Sequence, residues 1–258
     1  MDDIVSIILL KLDMSSLLDM RTTNKYYHNY VSNKKLNLSI YHEITSKNIK
    51  SLAQINYGKG ITNIKYNLTI TGQRYFDHTD LQRMTNILTL QILNKTIDNN
   101  YIKVLTNLDS LLLCKKSKVT GVGLSHLTNL RYLRSSRNIS SEGLANLTNL
   151  NNLDIDQRIK YNCISKLTNL TNLDSYEIQA DDIKQLTKLT SISLSNDPDI
   201  NIYKSLSNLP MLTELNIGMH SQLTGKQFKH LTMLKKLDVD DFININIQGC
   251  MYLTNLTS

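Results

Sequence analysis

ISSEGLANLTNLNNLDI, residues 139–155, contains a four-residue phrase that returns throughout this chain. The phrase LTNL begins at positions 105, 127, 147, 167 and 253, and variants of it begin at 84, 186, 209 and 231. The intervals between successive phrases are 21, 22, 20, 20, 19, 23, 22 and 22 residues. A nearly constant period of this length predicts a solenoid, in which every repeat forms one coil.

Apolar residues occupy fixed columns around this phrase. The sixth residue after the start of each of the first eight phrases is Leu90, Leu111, Leu133, Leu153, Leu173, Ile192, Leu215 or Leu237. Two residues further on the column is again apolar in most repeats, with Ser135 and Ser175 as the departures. Alternation with a period of two predicts a short strand that buries one face. Such a strand must stack on its neighbours, because one coil cannot cover it.

The quoted stretch resembles the leucine-rich-repeat family, in the variety that reads I-T-x-x-G-L-x-x-L-T-N-L-x-x-L-x-L. The resemblance covers residues 36–258 and implies an α/β solenoid, shaped as a horseshoe or arc with a parallel sheet on its concave face. It implies about ten coils of 19–23 residues, with an insertion near 56–66 where Gly58 and Gly60 mark a loop. The first two strands are expected at LNLSI (36–40) and LTI (68–70).

Residues 1–35 do not follow the repeat pattern. Apolar residues at helical spacing predict a helix over 3–12, and Ser16 with Asp19 forms an S-x-x-D signature that predicts a second helix start. A third short helix is expected over about 24–32. So few residues cannot bury a sufficient core of their own, which predicts that this segment is stabilised by docking.

The same segment resembles an F-box. Arg21, Asn24, Lys25 and Tyr27 match the end of that motif, whereas its usual Leu-Pro start is replaced by MDD. The resemblance implies docking on a Skp-type adaptor and, through it, on a cullin-RING ubiquitin ligase. The adaptor contacts it implies are Ile4, Ile8, Leu9, Leu12, Leu17 and Leu18. The alternative interpretation is a cap that buries Ile8, Leu9 and Leu12 against the first coil.

Composition and charge exclude several classes of function. The net charge of +7 arises from 29 basic and 22 acidic residues spread along the chain, without a basic run interleaved with aromatics, so nucleic-acid binding is not expected. Cys114, Cys163 and Cys250 lack CxxC or CxxxH spacing, which predicts neither disulfides nor a zinc site. Cys163 and Cys250 fall in or beside apolar columns, as buried structural thiols do.

The N-terminal stretch does not read as an export signal or an anchor. Asp2 and Asp3 stand where a signal peptide is positive, and Lys11 ends the apolar run before it reaches the length that spans a bilayer. We therefore expect a cytoplasmic or nucleocytoplasmic protein, in the host cell if it is viral, that is neither secreted nor membrane-bound. Abundant Asn, Ile, Lys and Tyr with few Gly and Pro is typical of an AT-rich genome, such as that of a protist or a giant virus.

No grouping of residues predicts catalysis, and no cofactor is expected. The six histidines lie at scattered repeat positions without a nucleophile or an orienting acid at matching spacing. Recognition through the strand face is the prediction that a repeat architecture favours. Its expected target-binding residues are Tyr132, Arg134, Arg137, Asn152, Asp154, Asp156, Asp174, Tyr176, Glu177, Asp238 and Asp240.

The two resemblances together imply the substrate-recognition subunit of a Skp/cullin/F-box ubiquitin ligase, with an unknown protein target held by the repeats. The alternative is a repeat-only interaction scaffold or inhibitor, whose N-terminal helices merely cap the solenoid. The sequence stops inside a coil at LTNLTS, which would leave an open end, so we expect either a fragment of a longer chain or an end-to-end dimer through this last coil.

Overall fold

A computed structural model describes residues 37–39, 65–70, 87–93, 97–136, 139–156, 163–176, 178–194, 200–206, 208–218, 228–229, 231–239 and 251–257. The chain divides into two compact units, Met1–Val119 and Thr120–Ser258. The expected boundary after residue 35 lies outside the described residues. So do the helices expected before it and their adaptor-binding residues Ile4, Ile8, Leu9, Leu12, Leu17 and Leu18.

The first unit contains four parallel strands in sequence order. They are β1 (Asn37–Ser39), β2 (Lys65–Ile70), β3 (Ile87–Ile92) and β4 (Ser110–Leu113), and each pairs with the next. A one-turn helix, α1 (Asn99–Ile102), lies between β3 and β4, and the side chain of Asp98 caps it by accepting the backbone N–H of Asn100 at 2.9 Å. One strand per repeat is the arrangement that the spacing of the phrases predicts.

Strand β2 differs from its prediction at one end. It begins at Lys65, inside the stretch 56–66 predicted to be an insertion, and not at residue 68. The pairing with β3 shifts register between Tyr66 and Asn67, as in a β-bulge. The extra residue is therefore absorbed within a continuous strand, which the apolar alternation of LTI alone did not indicate.

The second unit continues the same pattern with six parallel strands, each paired with the next. The strands are β5 (Tyr132–Ser135), β6 (Asn152–Ile155), β7 (Asn172–Ser175), β8 (Ser191–Leu194), β9 (Glu214–Ile217) and β10 (Lys236–Val239). Short helices connect them: α2 (Gly121–Leu124), α3 (Ser141–Leu144), a 3-10 turn (Ile164–Lys166), α4 (Ala180–Ile183) and α5 (Ile200–Leu206).

The core is built from the predicted columns. In the phrase at 147, Leu147 and Leu150 are fully buried, and the strand residue Leu153 is 1% exposed. Burying a leucine side chain stabilises the folded state by roughly 1.5–3 kcal/mol, so repeating this set in every coil supplies the main stabilising term. Ser135 and Ser175, the two polar departures, are also fully buried. The predicted buried columns and the predicted parallel sheet, with one strand in each repeat, are therefore confirmed.

The third residue of the phrase has a structural role that explains why it is so often asparagine. Its side-chain amide reaches the turn of the preceding coil and donates to a backbone carbonyl there, which satisfies an acceptor that the strands leave unused. These bonds run from Asn149 to Thr128 O (2.8 Å), from Asn169 to Thr148 O (2.9 Å) and from Asn255 to Thr232 O (2.7 Å). We call this series of third residues the turn row.

A second ladder lies beside the turn row, one residue after the phrase. Hydroxyl groups here donate to the carbonyl of the corresponding residue in the coil before, so two side-chain bonds join adjacent turns where the turn row also holds a bonded asparagine. The bonds run from Thr171 to Asn151 (3.2 Å), from Thr190 to Thr171 (3.0 Å), from Thr213 to Thr190 (3.1 Å) and from Thr257 to Lys235 (3.1 Å).

Two helices of the second unit approach each other through glycine. A Cβ atom at Gly143 in α3 would overlap the Cα atom and carbonyl of Gly121 in α2, so this spacing requires glycine. Gly143 lies four residues before its phrase, and the next three repeats place Cys163, Asp182 and Ser205 there. All three are buried. In these repeats of the second unit the column therefore holds small or internally bonded side chains.

Candidate functional site

The open face of the second unit's sheet carries two parallel rows of side chains. Residues of each strand alternate between the core and this face, and the strand register aligns them across neighbouring coils. The first row runs Tyr132, Asn152, Asn172, Ser191, Glu214 and Lys236, and the second runs Arg134, Asp154, Asp174, Ser193, Asn216 and Asp238.

Opposite charges meet at the start of the second row. Nε of Arg134 lies 3.1 Å from Oδ2 of Asp154, its register partner on β6. The Asp154 side chain is 22% exposed, whereas that of Arg134 is 54% exposed. The carboxylate is thus partly removed from water, while the guanidinium keeps donors directed to solvent or to a partner.

Carboxylates outnumber cations around this pair. Burial raises the pKa of Asp154, Arg134 lowers it, and the negative charges of Asp174 and Asp156 raise it further. Burial also raises the pKa of Asp174, a hydrogen bond from Ser193 and the charge of Arg134 lower it, and Asp156 raises it. A cation brought to this face by another molecule would therefore gain from three carboxylates that Arg134 alone does not neutralise.

Two tyrosines flank the charged group. Tyr132 begins the first row and is half-buried, and Tyr176 directly follows β7 with 41% of its surface exposed. The backbone of Tyr176 is held by its N–H bond to Ile155 O at 3.1 Å. An exposed aromatic side chain on a fixed backbone contributes contact area at low entropic cost.

The structure brings together part of the predicted set. Arg134, Asp154, Asp156 and Asp174 form one group, with Asn152 beside it in the first row. Asp238 is exposed on β10, three strands beyond Asp174, so it does not belong to this group. Arg137, Glu177 and Asp240 lie outside the described residues.

A buried carboxyl was missed by sequence reasoning. Asp182 on α4 is 5% exposed, and its Oδ1 accepts the backbone N–H of Ser165 at 3.3 Å. Burial raises the pKa of Asp182, although hydrogen bonds from the backbone and hydroxyl of Ser165 oppose that shift. The signal that would have found it is its place in the column that glycine fills at 123 and 143.

Asp182 also acts on its neighbour in that column. Burial and then the Asp182 carboxylate raise the pKa of the Cys163 thiol to about 11. Cys163 is 3% exposed, so at neutral pH it is a buried, protonated thiol without nucleophilic character. The prediction of a structural thiol is confirmed for Cys163, whereas Cys250 lies outside the described residues.

A polar cleft of about 430 Å³ opens between α4 and α5, away from the sheet. It is lined among others by Asp181, Lys184, Lys204 and Ser205. Nζ of Lys184 lies 2.6 Å from Oδ1 of Asp181, and the Ser205 hydroxyl donates to Asn201 O at 3.2 Å. Lys184 and Asp181 thus pair with each other and the Ser205 hydroxyl bonds to the backbone, so these side chains do not form a set arranged for acid–base chemistry.

The residues that the structure describes contain no group of three or more His, Cys, Asp or Glu side chains placed to hold a metal ion. Within the same residues, none of the helices combines the length and the apolar character that crossing a bilayer requires.

Solved structures similar to this one are leucine-rich-repeat proteins. An internalin from Listeria monocytogenes superimposes with a TM-score of 0.60 at 21% identity, over 94% of this chain and 79% of its own. Toll, in its Drosophila complex with Spatzle, gives 0.58 at 17% identity over 86% of this chain. TLR13, in complex with the single-stranded RNA ssRNA13, gives 0.56 at 19% identity over 95% of this chain.

The chain spans 35% of the Toll chain and 37% of the TLR13 chain. Neither the protein-family models nor the curated proteins give a match to this sequence. The likeness to the solved structures establishes the leucine-rich-repeat fold, with one parallel strand per coil.

Proposed function

We propose that this chain is a non-catalytic interaction protein that holds a partner protein on the open face of β5 to β9. The observation that carries the proposal is the alignment of Arg134, Asp154 and Asp174 in one row, with a surplus of carboxylate that a partner's cation would neutralise. Stacked strands offer such a surface without any rearrangement of the backbone, because each coil contributes two outward side chains.

A protein partner is favoured over RNA, although Toll and TLR13 appear in complexes with a protein and with RNA respectively. The outward residues of β5 to β9 contain one cation, Arg134, against Asp154, Asp174 and Glu214. RNA binding relies on neutralising phosphates with Lys and Arg, which this part of the described chain does not offer. A partner with a basic segment fits the same face and would be steered to it by charge.

The aromatic residues supply the apolar part of the proposed interface. Tyr176 is exposed immediately after the strand that carries Asp174, so one partner side chain can contact a ring and a carboxylate together. Interface energy concentrates in such central aromatic and charged residues. We therefore assign Tyr132 and Tyr176 as anchors, and the carboxylates as the groups that select a basic partner.

The test uses charge reversal on the open face. Wild type, an Asp154→Lys/Asp174→Lys double variant and a Glu142→Lys control are compared by quantitative affinity capture from a cell extract. Glu142 is an exposed acid on α3, away from the sheet. We expect proteins that wild type and the control retain to be lost from the double variant. Identical retention by all three would contradict the proposed face.

A second proposal concerns residues 1–35 and rests on the F-box-like pattern of their sequence. We propose that Ile4, Ile8, Leu9, Leu12, Leu17 and Leu18 dock on a Skp-type adaptor, so that a cullin-RING ligase ubiquitinates the protein held by the repeats. Tethering would act by raising the effective concentration of the target near the conjugating enzyme. A cytoplasmic or nucleocytoplasmic location fits this role, and the unpaired Cys114 and Cys163 support a reducing compartment.

Co-purification with a eukaryotic Skp adaptor tests this second proposal. A Leu9→Asp/Leu12→Asp variant is compared with Leu93→Asp, which changes a leucine that is 42% exposed in the repeats. We expect wild type and Leu93→Asp to retain the adaptor and the double variant to lose it. If no form binds while the double variant aggregates, the segment is a cap and the chain is a free-standing scaffold.

A further inference from the structure

The turn row lacks asparagine in three consecutive repeats of the second unit. Its third-residue position holds Asn149 and Asn169, then Lys188, Met211 and Met233. Each lies three residues before its strand, and the register of β8, β9 and β10 aligns Ser191, Glu214 and Lys236. Lys188, Met211 and Met233 are therefore neighbours in three consecutive coils.

The two methionines are exposed at a position where the fold does not need them. Met211 is 54% exposed and Met233 is 52% exposed. A thioether has no N–H, so neither side chain can donate to the preceding turn as Asn149 and Asn169 do. Both coils thus forgo a hydrogen bond and expose a large apolar side chain to water, and each change lowers stability.

The turns themselves are unchanged by this substitution. The backbone bonds between turns continue through the same coils, where the N–H groups of Thr213 and Lys235 donate to Thr190 O at 2.9 Å and to Thr213 O at 2.8 Å. The asparagine bond also returns in the next repeat, where Asn255 donates to Thr232 O at 2.7 Å. The departure is therefore confined to the side chains that project from the turn.

Basic residues surround the methionines. Lys188 precedes Met211 in the turn row, where its Nζ lies 2.7 Å from Oδ1 of Asn169, and Lys235 and Lys236 are exposed just after Met233. Glu214 is the acid that faces them, as the register partner of Lys236. The surface as a whole carries a charge of about +2, from three lysines against that one carboxylate.

We propose that Met211, Met233, Lys188, Lys235 and Lys236 form a docking surface, the methionine–lysine edge, for a protein segment that carries apolar side chains beside acidic ones. This surface shares Lys236 with the first row of the open face, but it does not include the group of Arg134, Asp154 and Asp174, and it prefers a partner of the opposite charge. Methionine suits it, because a flexible and polarizable side chain adapts to the apolar groups of a bound segment. Exposed apolar side chains in neighbouring coils, rimmed by charge, are typical of a protein contact.

A second copy of this chain and an anionic membrane are the two other molecules that could cover this surface, and both fit it less well. A second copy of this chain would bring its own net charge of +7 to a basic edge. An anionic membrane would be attracted by the lysines, but surfaces that insert into lipid rely on Trp, Phe and Leu more than on methionine. An acidic, apolar protein segment satisfies both the charge and the methionine side chains.

The test follows the methionine methyl signals of the full chain by NMR, after labelling with ¹³C-methyl methionine. The probes are a synthetic peptide that alternates Leu and Glu and the same peptide with Lys for Glu. We expect the acidic peptide to shift the Met211 and Met233 signals, which single Met→Leu variants assign. A Met211→Asn/Met233→Asn variant should bind the acidic peptide at least about ten-fold more weakly than wild type does. The Lys peptide should cause no shift of the methionine signals. Met251→Asn, at a site 74% exposed but outside the turn row, should bind like wild type.

The proposal is overturned if no methyl signal shifts at millimolar peptide, or if the double variant binds as wild type does. Co-sedimentation of wild type, but not of the double variant, with vesicles of phosphatidylcholine and phosphatidylserine would replace it with a membrane surface. A dimer of wild type that the double variant lacks, seen by analytical ultracentrifugation, would assign the edge to a second copy. None of these results bears on the open face, whose test uses different variants.

Discussion

Nε of Arg134 lies 3.1 Å from Oδ2 of Asp154, across the register of two neighbouring strands. Asp156 and Asp174 act on the same carboxyl group and raise its pKa, whereas Arg134 lowers it. Arg134 lowers the pKa of both Asp154 and Asp174, although its own side chain is exposed. Its positive charge therefore acts on both carboxylates at once. Arg134 is also the side chain that a basic partner would compete with or replace.

Removing this arginine is expected to change titration more than stability. In Arg134→Ala, the pKa values of Asp154 and Asp174 should both rise further, because the positive charge that lowers them is gone. The free energy of unfolding should fall by less than about 1 kcal/mol, since an exposed ion pair contributes little. Carboxyl ¹³C NMR titration measures the pKa values, with Arg131→Ala, an exposed arginine of the same coil, as the control. Unchanged titration in Arg134→Ala would contradict the assignment.

Asp182 is expected to make stability depend on pH. Its pKa is raised in the folded state, so the folded chain holds this proton more tightly than the unfolded chain does. Stability is therefore lost as pH rises from the ordinary value of 3.8 through the folded pKa. Asp182→Asn keeps an oxygen to accept from Ser165, and it should be more stable than wild type at pH 7.

That gain should shrink as the pH falls below the ordinary carboxyl pKa, where Asp182 is protonated in both states. Urea denaturation at pH 7 and pH 3 measures it. Glu142→Gln is the matched control, because Glu142 is an exposed acid on α3. A gain of the same size at both pH values would show that the effect is not one of protonation.

Cys163 is expected to resist alkylation. With a pKa of about 11, only about one molecule in a thousand carries the thiolate at pH 8, and the sulfur is also buried. Iodoacetamide should therefore modify Cys114, which is half-buried, well before Cys163. Peptide mass spectrometry over a time course compares the two sites. Asp182→Asn should lower the pKa of Cys163, because the Asp182 charge is one of the two causes that raise it. Equal rates of modification at Cys114 and Cys163 in wild type would contradict the burial of Cys163.

Substitutions in the turn row are expected to lower the free energy of unfolding at one position and to raise it at another. Asn169 donates to Thr148 O and accepts from Lys188 Nζ, so Asn169→Ala should lower the free energy of unfolding by about 1 kcal/mol or slightly more. Met211→Asn should raise it by roughly 0.5–1 kcal/mol, because the amide can reach the preceding turn. Urea denaturation measures both variants, and Met211→Gln is a control whose amide is one carbon too long. Loss of stability in Met211→Asn would show that the turn there cannot accept the bond.

The glycine contact between α2 and α3 should be intolerant of a methyl group. Gly143→Ala would place its Cβ against the backbone of Gly121, so the two coils must separate, at a cost of about 1–3 kcal/mol. Ser141→Ala, in the same short helix, should change stability much less. Thermal unfolding followed by circular dichroism compares the two variants. If they are equally stable, the close approach of the two helices is not a constraint on the fold.

Much of the fold could be predicted, because the period of the phrase and the alternation within each strand identify the inward residues. Leu153 and Leu173 were assigned to the core in this way, and both are buried. The prediction was wrong at the start of β2, where a register shift extends the strand to Lys65. A bulge depends on how two strands pair, and the apolar pattern of a single strand does not predict that pairing.

The candidate site was only partly predictable for a related reason. Alternation shows that Arg134, Asp154 and Asp174 point outward, but not that their charges interact. Asp182 was missed, because a carboxylate four residues before a phrase reads as a solvated charge until the neighbouring coil supplies the N–H of Ser165. The turn row was visible as a repeated letter, although its bonds to the preceding coil were not.

The sequence by itself determined the repeat, its period, its inward columns and the outward strand residues, since these follow from the distances along one chain at which side chains return to the same face. Only the tertiary structure decided which residues of different coils meet: Arg134 with Asp154, Asp182 with Ser165, and Asn169 with Thr148. Counting from each phrase aligns corresponding residues of neighbouring coils, but it does not show whether the strands pair without a shift, as β2 and β3 do not. Hydrogen bonding between the parallel strands decides the pairing, and the side-chain contacts that follow from it decide which charges interact.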